Sequence, residues 1–167
     1  MLVLPRSHSL RSEDKAYVRF INKTDRMVEL IWLNFNGKYV RYQILEKDHF
    51  VDVNTYKTHP WIALDVKTKD RLHIEKAFIY HPKTSKEYLQ EKYPDQEIPE
   101  NYEARIRASI TLPLYSLKYR SLIEVRDYFR NAEDVDQLDL PKSLAEDLKR
   151  IIEHRNLLAN KIVSVRH

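Results

Sequence analysis

A mainly β chain that ends in helices is the fold class predicted here: an N-terminal antiparallel β-sandwich followed by a small C-terminal helical domain. Three observations predict it. Short apolar runs rich in β-branched and aromatic residues fill positions 16–112. After Pro113 the apolar period lengthens from two residues to nearly four. With 43% hydrophobic residues in 167, the chain can build one core and a small appendage.

Taken in order, Val18 and Phe20 alternate with Arg19 in the first strand. Val28, Leu30 and Trp32 share one face of the second. Asn36-Gly37 is a turn dipeptide ahead of a third strand over 38–44, so this pair reads as a hairpin. Strands over 49–53, 61–66, 71–74 and 76–80 continue the series. Residues 81–104, rich in Lys, Glu and Pro, are expected to form an exposed insertion. Strict alternation returns at 105–112, with Ile106, Ala108, Ile110 and Leu112 on one side, as the last strand.

The first helix is expected over 116–129, with Leu117, Ser121, Val125 and Phe129 in one narrow stripe and Leu122 beside it. A cluster at 133–138 precedes Leu140-Pro141, where proline suits a first helical turn and Asp139 can help to cap it. Leu144, Leu148 and Ile151 or Ile152 form the stripe of this second helix. The domain division that follows is a flexible segment 1–15, a sandwich 16–113 and a helical domain 114–167. About fifty helical residues cannot enclose a core alone, so they need either the sandwich or a partner to cover them. The last helix is free to pack back on the sandwich.

Composition excludes much chemistry. Without cysteine there is no disulfide framework, thiolate metal site or cysteine nucleophile. A single glycine, Gly37, rules out phosphate-cradling loops and dinucleotide fingerprints. His49, His59, His73 and His81 fall at no recognised metal spacing, and no carboxylate pair can be singled out. No catalytic residue, metal or cofactor is therefore expected. No apolar run spans a bilayer, and the opening Met1 to Arg6 is too short for a signal-peptide core. The expected address is cytoplasmic and nuclear. Asn22-Lys23-Thr24 matches a glycosylation acceptor pattern that no secretory signal supports. Net charge is +4, from 29 basic and 25 acidic side chains mixed along the chain.

Three separated blocks carry a resemblance. They are Trp32-Leu33-Asn34-Phe35-Asn36-Gly37 with Tyr42 downstream, the stretch from Thr55 to Trp61, and the stretch from Ile110 to Leu117. In this order they resemble the von Hippel–Lindau tumour suppressor family, of which the chain looks like an invertebrate-like member. The resemblance implies the substrate receptor of a cullin-RING ubiquitin ligase, itself not catalytic. Its β-domain would hold a prolyl-hydroxylated peptide, by resemblance that of the hypoxia-inducible factor α subunit, and its helices would dock on elongin C. Carried over, Trp32, Tyr42, Thr55, His59 and Trp61 match the hydroxyproline pocket, and Asn54 and Tyr56 its neighbouring peptide contacts. Thr55 stands for the family's serine, Asn54 for a histidine and Pro60 for a leucine.

The helical part has two further likenesses. Ser116, Leu117, Ser121, Leu122 and Val125 resemble the elongin C-binding box, with Ser121 at the family's cysteine position and Leu117 as the anchor. Leu140, Pro141 and Leu144 resemble the cullin-selecting box. Implied partners are elongin C with elongin B, and a cullin with its RING subunit.

Residue chemistry fits that reading. Two indoles and a phenol can wall a slot around a pyrrolidine ring at little entropic cost. In an extended segment His59 and Trp61 would project from one face, with Thr55 a short turn upstream. A hydroxyl and an imidazole can then each exchange a hydrogen bond with a ligand hydroxyl. Taken without the family pattern, Trp32 and Trp61 read as sandwich core and His59 as a satisfied loop histidine. The alternative from another class is a basic sandwich that binds nucleic acid through Arg105, Arg107, Lys118, Arg120 and Arg126, with tyrosines to stack bases.

Overall fold

The computed structural model describes residues 7–164. In chain order the elements are β1 (Lys15–Asn22), β2 (Val28–Leu33), β3 (Tyr39–Leu45), β4 (Phe50–Tyr56), β5 (Trp61–Asp65), β6 (Arg71–Ile74), α1 (Ser85–Lys92), β7 (Ile106–Thr111), α2 (Leu117–Arg126), a 3-10 helix (Ala132–Gln137), α3 (Lys142–Lys161) and β8 (Ile162–Ser164). The strands lie in the order β4-β1-β7-β6-β5-β2-β3-β8. The sheet curls until β3 meets β4, and Val18, Phe20, Leu30, Val53, Trp61 and Ile110 close on one another inside it. The expected class, a β domain followed by a small helical region, is the observed one.

Period-two alternation sets which residues face inward, as in β7, where Ile106, Ala108 and Ile110 are buried. It does not set strand direction. β7 lies parallel to β1, and β8 parallel to β3, so the sheet is not wholly antiparallel as expected. Parallel neighbours need a long crossover rather than a tight turn, and nothing in a strand's own pattern reveals one. β5 is buried on both faces: Trp61 and Ala63 enter the inner core, while Ile62 and Leu64 join Ile31, Leu33 and Tyr39 outside. Leu158 of α3 covers that outer patch, so the last helix does pack back on the sheet. Its first half packs Leu148, Ile151 and Ile152 against Leu122, Ala132 and Val135; each leucine, isoleucine or valine among them contributes about 1.5–3 kcal/mol by burial.

Several expected elements differ. Residues 76–80 form no strand, because Glu75 and Lys76 take φ of 49° and 67° and only the bridges Ile74–Ala77 and Trp61–Tyr80 touch the sheet. The insertion 81–104 is largely exposed, yet it holds α1. Thr84 and Glu87 cap that helix reciprocally, and the Ser85 hydroxyl donates to the carbonyl of Ala104 and accepts from its N–H, both at 2.9 Å. α2 ends at Arg126, short of 129. Pro141 occupies the cap position of α3 with no side-chain cap bond, so Asp139 does not cap it. The turn after β2 spans more than the Asn36-Gly37 dipeptide, with Gly37 at φ 68° donating its N–H to Asn34 O at 2.9 Å.

The segment expected to be flexible is tied down from Ser9 onward. Ser9 N–H donates to Asn34 O (3.1 Å), Leu10 N–H to Thr58 O (3.4 Å) and Lys57 N–H to Asp14 O (2.9 Å). Residues 1–6, including the opening apolar run, lie outside the described residues. Where α2 meets the sheet, Arg126 is buried and bonds both oxygens of buried Asp70, at 2.5 and 3.0 Å. The Tyr115 hydroxyl donates to Arg71 O at 2.9 Å beside them.

Candidate functional site

Trp32 and Trp61 are direct partners in the antiparallel β2–β5 register, so both indoles stand on one face of the sheet. Trp61 is buried against Phe20, with ring centroids 5.3 Å apart. Trp32 is half-buried, and its Nε1–H donates to Ser9 Oγ at 2.7 Å, which in turn donates to Leu33 O at 2.6 Å. Between β2 and β3 the register slips at Leu30/Ile31, leaving Tyr42 without a partner of its own. Such a bulge re-aims a side chain, and the Tyr42 ring meets Trp61 edge-on at 5.3 Å and 81°.

Thr55 pairs with Ala16 and faces inward from β4, 4% exposed. Its Oγ1 accepts the Trp61 Nε1–H at 3.2 Å. His59 lies in the connection to β5, where its N–H donates to Tyr56 O at 3.0 Å. It is therefore not in an extended segment, and its ring stacks on Trp32 instead, at 5.4 Å and 28°. Phe35 and Tyr56 enclose the imidazole at centroid distances of 5.2 and 5.0 Å. His59 Nε2 and Ser12 Oγ are 3.2 Å apart. Burial holds the His59 pKa below its ordinary 6.5, so the imidazole is neutral at neutral pH.

The structure thus gathers Trp32, Tyr42, Thr55, His59 and Trp61, and the Tyr56 ring joins them through its contact with His59 at the end of β4. It does not bring Asn54 to them. Asn54 pairs with Tyr17 on the opposite face, exposed, and its Oδ1 accepts from Arg105 Nη2 at 2.9 Å. Phe35, Ser9 and Ser12 complete the surroundings. Phe35 belongs to the Trp32–Gly37 block and was within reach of that motif. The two serines act across more than twenty residues of sequence, and no local pattern signals them.

In the helical part, the Ser116 hydroxyl caps α2 by accepting Tyr119 N–H at 3.2 Å. Leu117 is 82% exposed, and Ser121 and Val125 follow it along the solvent side. Ser121 Oγ donates to Leu117 O at 3.0 Å. Leu122 is turned away from this stripe, buried against α3. Leu140 and Leu144 border an apolar cleft of about 310 Å3 with Val125 and Leu148, while Pro141 is exposed.

The basic residues of the nucleic-acid reading are largely engaged. Arg126 is buried on Asp70, Arg105 also donates to Val53 O at 3.2 Å, and Lys118 pairs with Asp147 at 2.6 Å. Among the described residues no His, Asp and Glu side chains group as a metal-binding cluster, and no helix is long and apolar enough to cross a membrane.

Residues 7–88 match the family model of the VHL beta domain. Protein Vhl of Drosophila melanogaster is 30% identical over 108 residues, which cover 65% of this chain and 58% of the fly protein. Together the two matches support a member of the von Hippel–Lindau family. The VHL beta domain match takes in β1 to β6 and every residue of the aromatic site. It ends within α1, so β7 and the helices lie beyond the matched residues.

Proposed function

We propose that the chain is the substrate-recognition subunit of a cullin-RING ubiquitin ligase, reading a hydroxylated proline at Thr55 and His59. The bond from Trp61 Nε1 to Thr55 Oγ1 carries this reading. It uses an acceptor site of the hydroxyl and leaves the Thr55 O–H to donate to a ligand oxygen. Ser12 engages His59 Nε2, so Nδ1 is the ring nitrogen left to a ligand. With the proton on Nε2, Nδ1 accepts from the ligand hydroxyl, and each partner of the exchange is satisfied. Trp32, Tyr42 and Trp61 supply apolar walls for the pyrrolidine ring.

An unmodified proline would displace water from both groups and replace none of its bonds. Each unpaired group costs roughly 1–3 kcal/mol, so two of them discriminate by roughly tens-fold to ten-thousand-fold. The peptide backbone of an extended ligand would add affinity along a sheet edge. By family resemblance the client is the hypoxia-inducible factor α subunit, and the receptor has no catalytic step of its own.

Docking on elongin C, with elongin B, falls to the exposed stripe Leu117, Ser121 and Val125, with Ser116 setting the helix start and Leu122 holding α2 from behind. Leu140, Pro141 and Leu144 are the proposed cullin-selecting residues. The division of labour follows the expected domains, 16–113 for the client and 114–167 for the ligase. Calorimetry with two peptides identical except for the proline hydroxyl tests the proposal. Tight binding of the hydroxylated peptide alone is the expected result, and equal binding of both overturns it.

A further inference from the structure

Between β6, the start of α2 and α3 lies a cleft of about 310 Å3 whose walls carry more positive than negative charge. Lys69, Arg71, Arg126 and Arg155 line it beside His154, against Asp70 alone. Most of these cations are spoken for. Arg126 holds both oxygens of Asp70, Lys69 pairs with Glu29, and Arg155 donates to the carbonyls of Arg126 and Phe129 while reaching Asp127 only at 3.9 Å.

Arg71 differs. It is 7% exposed, yet no carboxylate pairs with it among the described residues. Its Nη2 donates to Phe78 O at 2.8 Å and its guanidinium lies 5.2 Å from the Phe78 ring centroid, but its Nε is buried without a partner. His154 Nε2 is buried and unpartnered as well. Two residues that each hold an orphaned buried nitrogen therefore line one cavity.

A buried cation without a counter-charge, and a buried N–H without an acceptor, are both costly. An apolar ligand would leave both costs in place. A tetrahedral anion removes both, because its several oxygens can accept from two directions, and guanidinium suits phosphate in particular. Asp70 opposes an anion only weakly, since Arg126 already neutralises it. The volume admits a phosphate group with a small polyol attached. We propose that this cleft binds free phosphate or a small phosphate monoester, with Arg71 Nε and His154 Nε2 donating to its oxygens.

The test is thermal unfolding of the full chain in inorganic phosphate, titrated against chloride at equal ionic strength, with glycerol phosphate as a parallel arm. A saturable rise in Tm is expected in at least one phosphate arm and not in chloride, and the tighter arm identifies the source. Arg71→Leu is expected to keep its Tm in chloride, because it removes an unmet buried charge, and to weaken the phosphate Kd at least about tenfold. His154→Asn is expected to weaken it several-fold. Should Arg71→Leu fail to fold, Arg71→Gln takes its place. Absence of a saturable rise in the parent chain, or an unchanged Kd in a folded Arg71 variant, overturns the proposal.

Discussion

Trp61 holds Thr55 through a single bond, its indole N–H lying 3.2 Å from the threonine oxygen. Because both groups are buried, this bond joins the core to the proposed ligand hydroxyl. Thr55→Val removes the donor and leaves the indole N–H unpaired. Loss of preference for the hydroxylated peptide by about tenfold or more, with about 1–3 kcal/mol of stability, is the expected outcome. Peptide calorimetry and urea unfolding read the two effects separately. A Val variant that still separates the peptides as the parent does would remove Thr55 from the readout.

Ser12 acts one step further out. Its hydroxyl meets His59 Nε2 at 3.2 Å and so decides which ring nitrogen is left for the ligand. Ser12→Ala frees Nε2 and lets the tautomer vary, while the stack on Trp32 keeps the ring in place. Hydroxylated-peptide affinity should fall several-fold with the unfolding midpoint nearly unchanged, since Ser12 is exposed. Equal affinity in parent and variant would mean that Ser12 does not set the tautomer.

The buried pair Asp70–Arg126 ties α2 to the sheet. Removing one partner strands the other charge in the interior, so Asp70→Ala should cost about 3–5 kcal/mol. Replacing both, as Asp70→Leu with Arg126→Met, should recover most of that loss. Urea unfolding of the two single variants and the double variant closes the cycle. Additive losses would show that the pair is not coupled.

Which parts of this were legible in the sequence follows from the range of each interaction. Alternation put Val28, Leu30 and Trp32 on one face from sequence alone, but the strand expected over 49–53 stopped short of Thr55, whose place beside Trp61 rested on the resemblance; β4 in fact runs on to Tyr56. Asn54 was misplaced, because a motif position says which residue aligns, whereas alternation in β4 turns Asn54 away from Thr55. The capping box of α1 stood in plain view as Thr84 and Glu87, yet the polar composition around it hid the helix. Parallel pairing of β7, the covering of β2, β3 and β5 by Leu158, and the Ser9 and Ser12 contacts all join residues far apart in the chain. No local signal encodes them.

Acid should destabilise the fold in a window that belongs to histidine. Burial holds His59, His73 and His154 below their ordinary 6.5, so the unfolded chain binds protons first as pH falls. Stability is full above 6.5 and declines as pH drops through that value toward the lowered native pKa. Asp52, Glu87 and Asp147 are lowered by their ion pairs from 3.8, 4.5 and 3.8, so their loss comes at more acid pH. Urea midpoints in phosphate-free buffer should decline from pH 7.5 to 5.5, and less steeply in His154→Asn. A flat profile across that interval would mean that these rings are not desolvated.

Leu117 and Leu122 sit on the same helix with opposite tasks. Leu117 is 82% exposed, whereas Leu122 is 8% exposed and packed against Leu148 and Ile152. An aspartate at the first position meets water and at the second enters an apolar core, so their effects on the free chain must differ. Leu117→Asp should shift stability by no more than about 0.5 kcal/mol. If the exposed stripe docks in a partner groove, the same change buries an unpaired carboxylate there and abolishes the complex. Co-expression with elongin C followed by size-exclusion chromatography should therefore yield a folded but uncomplexed Leu117→Asp chain. Leu122→Asp should lose both, and it fails for a different reason, visible as lost helical circular dichroism before any partner is added. An intact complex with Leu117→Asp would move the anchor elsewhere, with Val125 on α2 and exposed Tyr128 just beyond its end as the next residues to substitute.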